Sequence, residues 1–251
     1  MNKKELVKWG SKTAKGGFKN EKDVIGRFNN WEKDEIAKEW LRAMNYSIED
    51  IESVKAIKIT GHYKADIQVA VRIIIKLKSQ EDLQNIQVKL VGSGNFNQID
   101  KRWTDKYVEM WKIPTDVVKI LKLFTGEVKS IQRGLRDSRK VFFSEMNEGD
   151  KNKVLDFFKN NKILIVSDLL KGRGEFSADW FLVILKSATK SKWVLKSINE
   201  AMNVFGSGDV KITKKGNLVI GKISMQRKGG DSGRETAKML QFKIKPLMLF
   251  I

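Results

Sequence analysis

Nothing in this chain limits its fold as strongly as a run of aliphatic residues at period two. Ile67, Val69, Val71, Ile73 and Ile75 share one face of an extended segment, and Gln68, Arg72 and Lys76 fall on the other. The alternation predicts one long strand over residues 67–78 with a polar face. The polar residues 79–85 are expected to break it. Period two then resumes in Ile86-Gln87-Val88-Lys89-Leu90-Val91, which predicts a hairpin partner ending in the loop Gly92-Ser93-Gly94-Asn95. A shorter strand is expected upstream at 54–60.

Helical spacing governs other stretches. Between residues 22 and 44, Val24, Ile25, Phe28, Trp31, Ile36, Trp40, Leu41 and Met44 recur near every 3.6 positions, predicting one or two amphipathic helices with a start signal at Asn20 and Asp23. Residues 98–124 read as helix interrupted at Pro114. The polar, basic residues 126–140 read as an excursion or linker. Val154, Leu155, Phe157 and Phe158 have helical spacing, and Ile163-Leu164-Ile165-Val166 suits a short strand or the lead into a helix. Paired strands are expected at 180–187 and 193–198, and further strands around Lys211, at 218–225 and at 240–244. The mixture predicts an α+β chain with one mixed central sheet flanked by helices.

Charge and rare residues narrow the chemistry. Lys and Arg number 49 against 30 Asp and Glu, a net charge of +19, so a polyanion is the expected partner. The absence of Cys excludes disulfides, zinc ribbons, iron–sulfur clusters and thiol nucleophiles, and the single His62 excludes paired-histidine metal sites. His62 itself, beside Gly61 and Tyr63, reads as a polar structural residue rather than a general base. The beginning of the chain lacks the apolar stretch of a signal peptide, and no window resembles a membrane span, so a cytoplasmic protein is expected.

Asp66 stands at the mouth of the long strand, and Gln87 and Lys89 lie two apart, hence on one face, of the next. Together they offer a carboxylate, an amide oxygen and an ammonium. Mg²⁺ takes one or two side-chain oxygens and completes its shell with water and substrate phosphate, and a neighbouring Lys can orient water and offset phosphoryl charge. An ordinary solvated hairpin would carry the same three residues. Downstream, Phe96, Asn97, Gln98 and Lys101 place an aromatic ring, two amides and a cation together, suited to base edges or a base step, or to a core ring and a helix cap. Near the end, Gln226-Arg227-Lys228-Gly229-Gly230-Asp231-Ser232-Gly233-Arg234 joins a strand to a Gly-rich basic turn, and Gln241 and Lys243 are again two apart. That region fits either nucleic-acid contact or a solvated basic hairpin. Residues 216–222 nearly spell a phosphate-binding loop, but Ile223 stands where Ser or Thr must ligate Mg²⁺. The seven Trp and most Phe sit at amphipathic spacing and read as core.

The segments GSKTAKGGFKNEKD (10–23), NIQVKLV (85–91), FNQIDKRW (96–103), EMWK (109–112), KGRGEF (171–176), INE (198–200), FGSGD (205–209) and QRKGGDSGRETAKMLQFKI (226–244) occur in order along nearly the whole chain. With them the sequence resembles the GCGC-cutting type IIP restriction endonucleases and, more distantly, a CCGG-cutting relative. The resemblance implies a restriction-endonuclease-like PD-(D/E)xK fold. It implies one endonuclease domain over residues 1–251, with a catalytic core at about 15–125 and a basic DNA-recognition part at about 205–251. Asp66 and Gln87 would hold Mg²⁺ with the Val88 carbonyl, Lys89 would be the catalytic lysine, and Glu21 is an outer-shell candidate that fits helix-surface solvation equally well. Ala65 stands where Pro is common in this superfamily, and Gln87 where an acid is, which leaves one charge fewer for the metal. Phe96, Asn97, Gln98 and Lys101 would face double-stranded DNA from one side, and Arg227, Lys228, Arg234, Gln241 and Lys243 from another. The implied activity is Mg²⁺-dependent cutting within GCGC by a monomer or weak dimer. A cognate methyltransferase would protect the host site without needing to bind this chain. A DNA-binding protein that does not cut, or a structure-specific repair nuclease of the same fold, would share the charge.

Overall fold

The amphipathic stretch at 22–44 folds as two helices, α1 over residues 19–29 and α2 over Glu35–Ala43. The computed structural model of the chain describes residues 19–61, 63–75, 78–91, 96–129, 136, 137, 139–186, 191–229 and 234–251. His62, the 92–95 loop, residues 10–18, residues 130–135 and 138 of the basic 126–140 excursion and residues 230–233 of the Gly-rich turn lie outside the described residues. Asn20 is already helical, so it lies within α1 instead of starting it. Asp34 starts α2: its carboxylate accepts the Ala37 N–H at 3.0 Å and pairs with Arg27 at 2.8 Å.

The strands that follow are β1 (Ile51–Lys58), β2 (Ile67–Ile75), β3 (Lys78–Val91), β4 (Asn97–Arg102), β5 (Trp180–Leu185), β6 (Lys192–Ser197), β7 (Val210–Ile212), β8 (Leu218–Ile220), β9 (Ile223–Arg227) and β10 (Leu240–Ile244). Further helices are α3 (Thr104–Trp111), α4 (Thr115–Thr125), α5 (Glu148–Asn160), α6 (Lys162–Leu170) and α7 (Ile198–Gly206). The chain clusters into two units, one drawn from Trp9–Asn95, Leu170–Met202 and Pro246–Ile251, the other from Phe96–Leu169 and Asn203–Lys245.

The first unit holds the expected mixed sheet, in the order β1-β2-β3-β5-β6, antiparallel throughout except for the parallel pair β3 and β5. Registered partners share a face. Ile67 with Ile86, Val69 with Ala56, and Val88 with Leu182 and Leu195 therefore bury together beneath Val24, Phe28, Trp40 and Leu41 of α1 and α2. Asn29 docks α1 on the edge strand, donating to the Ala56 carbonyl at 3.1 Å and accepting the Ala56 N–H at 2.6 Å. The opposite face is covered as well, because the 3-10 helix Pro246–Phe250 packs against β3, β5 and β6. Coverage of both faces is why β5 reads as an unbroken apolar run.

Residues 79–85 do not break the strand. They form the outer half of β3, paired with β2 from Ile75 and Lys78 to Gln68 and Asn85, while Gln80, Glu81, Asp82 and Leu83 are exposed. A ladder is held by backbone hydrogen bonds and needs no apolar side chains where both faces are wet.

The second unit holds an antiparallel sheet in the order β4-β10-β9-β8-β7, which the sequence did not separate from the first. Residues 98–102, expected as helix, belong to β4, which pairs with β10 from Arg102 and Leu240 to Asn97 and Ile244. Tyr107 and Trp111 of α3 pack edge-on against Phe242, with ring centroids 5.2 and 5.7 Å away. The indole N–H of Trp111 donates to Asp168 at 2.9 Å. The apolar tetrad at 163–166 belongs to α6. Residues 218–225 form two strands joined at Gly221 and Lys222. A Cβ at Gly221, whose φ is +58°, would stand 2.6 Å from the Gly206 carbonyl oxygen.

Candidate active site

The register of β2 against β3 decides where Asp66 lies. Ile67 opposes Ile86, and the Asp66 N–H donates to the Ile86 carbonyl at 2.9 Å, so Asp66 comes to the point where β2 stops covering that edge of β3. Val88 is the next residue whose N–H and C=O face the same edge. With no strand beyond Ile67 to take that N–H, the carboxylate does: Val88 N–H donates to Asp66 Oδ2 at 2.6 Å. The Lys89 ammonium stands 3.9 Å from the same oxygen, and both side chains are only partly exposed.

Gln87 projects on the Lys89 side of β3 and is 2 % exposed. Its Oε1 is buried and has no hydrogen-bond partner among the described residues. Leaving a buried acceptor unmade costs about 1–3 kcal/mol, which makes this oxygen a candidate ligand for a group outside the polypeptide. The donors on offer are one carboxylate, one amide oxygen and the Val88 carbonyl on the edge that faces Asp66. All are oxygens, which suits a hard divalent cation keeping water and phosphate in its shell. Among the described residues there is no cluster of three acidic or histidine side chains that could hold a metal, so a cation here depends on the amide.

Neighbouring bonds fix this half of β3. Asn85 is buried: its amide oxygen accepts from Gln68 Nε2 at 3.1 Å, its Nδ2 donates to the Glu175 carbonyl at 2.9 Å, and its backbone N–H donates to Asp179 Oδ2 at 2.9 Å. The loop ahead of Asp66 is held in turn. Tyr63 meets Phe176 edge-on at 4.8 Å, and Gly172, at φ +80°, leaves room for Lys64, whose Cγ would lie 2.5 Å from a Cβ there. Glu21 on α1 is ion-paired with Lys58 at 2.6 Å, and Lys58 pairs with Ile67, the residue after Asp66. Sequence reasoning passed over Asn85 and Lys58. A polar residue opening a buried strand was the available signal for Asn85, and none pointed to Lys58.

In the other unit, β4, β10 and β9 lie side by side and carry most of the residues expected to meet DNA. The Gln98, Gln241 and Gln226 side chains form a chain of amides. Gln226 Nε2 donates to Gln241 Oε1 at 3.4 Å, and Gln241 Nε2 donates to Gln98 Oε1. Gln241 is buried and Gln98 exposed. Phe96 is 51 % exposed, with the Lys245 ammonium 4.9 Å from its ring centre. Lys101 and Arg234 are exposed, and Asn97 and Lys228 are half-buried. Burial holds the Lys243 ammonium below its ordinary range, while Arg227, at 9 % exposure, is buried. Gln241 and Lys243, two apart, are separated by an irregularity in the register with β4 between Phe242 and Lys243.

Comparison with known proteins agrees with this architecture. The fold is similar to that of a solved structure of restriction endonuclease MspI in complex with its cognate DNA, with a TM-score of 0.62 at 13 % identity over 89 % of this chain and 87 % of that one. No curated protein sequence matches the chain. Among the described residues, no helix is long and apolar enough to cross a membrane. The R.HinP1I restriction endonuclease profile matches residues 44–250, a span that contains Asp66, Gln87, Lys89 and all ten strands. A match over most of the chain places it in that family: the protein belongs to the R.HinP1I restriction endonucleases and is a type II site-specific deoxyribonuclease.

Proposed function

We propose that this enzyme hydrolyses phosphodiesters of double-stranded DNA at GCGC in a Mg²⁺-dependent reaction. The observation that carries the reading is the meeting of Asp66 and Lys89 beside the unpartnered, buried oxygen of Gln87. Asp66, Gln87 and the Val88 carbonyl would hold the cation. When bound, Mg²⁺ supplies Lewis-acid stabilisation of the phosphoryl oxygens. The chain's own residues do the remaining work. Asp66 is pinned through Oδ2 and presents Oδ1, Lys89 orients the attacking water and offsets charge growing on the phosphoryl group, and the covered sheet face keeps Gln87 dry. Glu21 acts at one remove, by holding Lys58 at the end of β1.

Phe96, Asn97, Gln98 and Lys101, with Arg227, Lys228, Arg234, Gln241 and Lys243, form the DNA-contacting set. Support comes from the net charge of +19 and from the DNA complex of the structurally similar MspI. The choice of GCGC rests on the sequence resemblance. The two units act as one endonuclease domain, as a monomer or weak dimer, with a methyltransferase modifying the same site in the host.

The test is to incubate the protein with unmethylated DNA, with Mg²⁺ or with EDTA, and to sequence the fragment ends. Discrete Mg²⁺-dependent fragments ending within GCGC are expected. Discrete ends at another sequence would keep the chemistry and overturn the site, and tight binding without cutting would make the chain a binder.

A further inference from the structure

The segment after α4 and the end of β9 gather more positive charge than their surroundings neutralise. Gly126 closes α4 at φ +76°, and a Cβ there would stand 2.2 Å from the Arg139 carbonyl oxygen, so the returning chain is held close against the helix end. The Val141 N–H donates to the Leu123 carbonyl at 3.2 Å and fixes that approach. The Lys140 ammonium then lies over two rings, 4.0 Å from the centre of Phe142 and 4.9 Å from that of Phe124, and the Arg136 guanidinium lies 4.2 Å from Phe142. Arg227, on β9, is nine-tenths buried, and its Nε has no hydrogen-bond partner among the described residues.

The nearby acids are already committed. Asp137 is taken by Arg139 at 2.8 Å, Glu145 by Arg136 at 3.3 Å, and Glu235 by Lys238 at 2.7 Å. Among the described residues, Lys140 and Arg227 have no carboxylate in ion-pair contact. Each is held below its ordinary range. Burial, with Arg227 next, pushes the Lys140 ammonium down to about 8, and burial and Arg139 depress Arg227. A buried cation with an idle N–H beside a second desolvated cation is costly unless an anion completes it.

We propose that Arg139, Lys140 and Arg227 form a seat for backbone phosphates of duplex DNA, with Arg227 Nε and the Lys140 ammonium as its donors. This rests on the reading of the chain as a DNA endonuclease. It narrows the expected DNA contact of Arg227 to the phosphodiester backbone, and it adds Arg139 and Lys140, which stand in a stretch that reads from sequence as a linker. A phosphate contact fixes register without reading sequence.

The experiment is a salt titration of duplex binding in EDTA by the full chain, on one duplex that contains GCGC and one that does not. Arg139→Gln, Lys140→Gln and Arg227→Gln are compared with the unaltered protein. Each lost phosphate contact should flatten the plot of log K against log salt by about 0.9 on both duplexes alike. Unchanged slopes in all three variants would overturn the proposal, and so would a loss confined to the GCGC duplex, which would make these residues base readers. If Arg227→Gln does not fold, the exposed Arg139 and the half-buried Lys140 still decide. An unaltered protein that binds neither duplex would defeat the endonuclease reading itself, whereas normal binding with unchanged variant slopes would defeat only the phosphate seat.

Discussion

Asp66 Oδ2 accepts the Val88 backbone N–H at 2.6 Å, so the carboxylate is a structural part of the sheet as well as a candidate ligand. The two roles separate by substitution. Asp66→Asn keeps an acceptor for Val88 and should unfold within about 1 kcal/mol of the unaltered protein, whereas Asp66→Ala leaves a buried N–H unmade and should lose about 1–3 kcal/mol. Both should lose cutting of a supercoiled plasmid by roughly 10²-fold or more while still binding DNA. Cutting at the normal rate by Asp66→Asn would remove this residue from the chemistry.

Gln87 should show the opposite balance of stability and function. Gln87→Met keeps the volume and deletes the orphaned oxygen, so without metal the variant should be as stable as the parent or more stable by about 1 kcal/mol. Thermal unfolding with and without Mg²⁺ tests the ligand role. The parent's melting temperature should rise with Mg²⁺, through preferential binding to the folded state, and the variant's should not. A rise of equal size in Gln87→Met would mean that the amide holds no metal.

The amide chain on β9, β10 and β4 has a direction. Gln241 spends its carbonyl on Gln226 and its amino group on Gln98, so the exposed end at Gln98 offers N–H donors. Gln98→Ala should therefore reduce discrimination at one base pair by about 1–3 kcal/mol, and Gln241→Ala should do so by less, since it acts by orienting Gln98. Cleavage of a panel of singly substituted sites gives both values. Equal weakening on every sequence would show a phosphate contact instead.

Lys140 carries a pH dependence whose sign follows from its surroundings. Burial and the charges of Arg227, Arg139 and Arg136, opposed by Asp137, hold it at about 8, against 10.5 for the ordinary side chain. Between those values the unfolded chain binds more protons than the folded one, so this group makes the folded state more stable as pH rises from about 8 toward 10.5. Its destabilising contribution is fully present below pH 8. Comparing Lys140→Met with the parent, the stability gained by substitution should be largest at pH 7 and shrink by pH 10. A difference independent of pH would show an unperturbed lysine.

Much of the first unit was legible because burial leaves a period. The alternation at 67–75 and 86–91 located β2 and the inner half of β3, and with them the meeting of Asp66, Gln87 and Lys89. Hydrophobic period reports which residues are covered, and it is silent on backbone pairing. The polar half of β3 was lost for that reason. So was β4, whose only buried apolar residue is Ile99 and whose partner β10 lies well over a hundred positions away. Asp100 on the same strand is buried by tertiary partners, the Tyr107 hydroxyl at 3.0 Å among them, that no local pattern announces. Arg227 reads from sequence as one more cation in a basic turn, and only packing shows that it is enclosed.

The 3-10 helix Pro246–Phe250 covers β3, β5 and β6, and β3, the strand that holds Gln87 and Lys89, precedes it by some 150 residues. During synthesis, those strands stay open on that face until residue 250 clears the ribosome. A chain that stops short of Pro246 lacks this cover on β3, the strand of the candidate ligand Gln87.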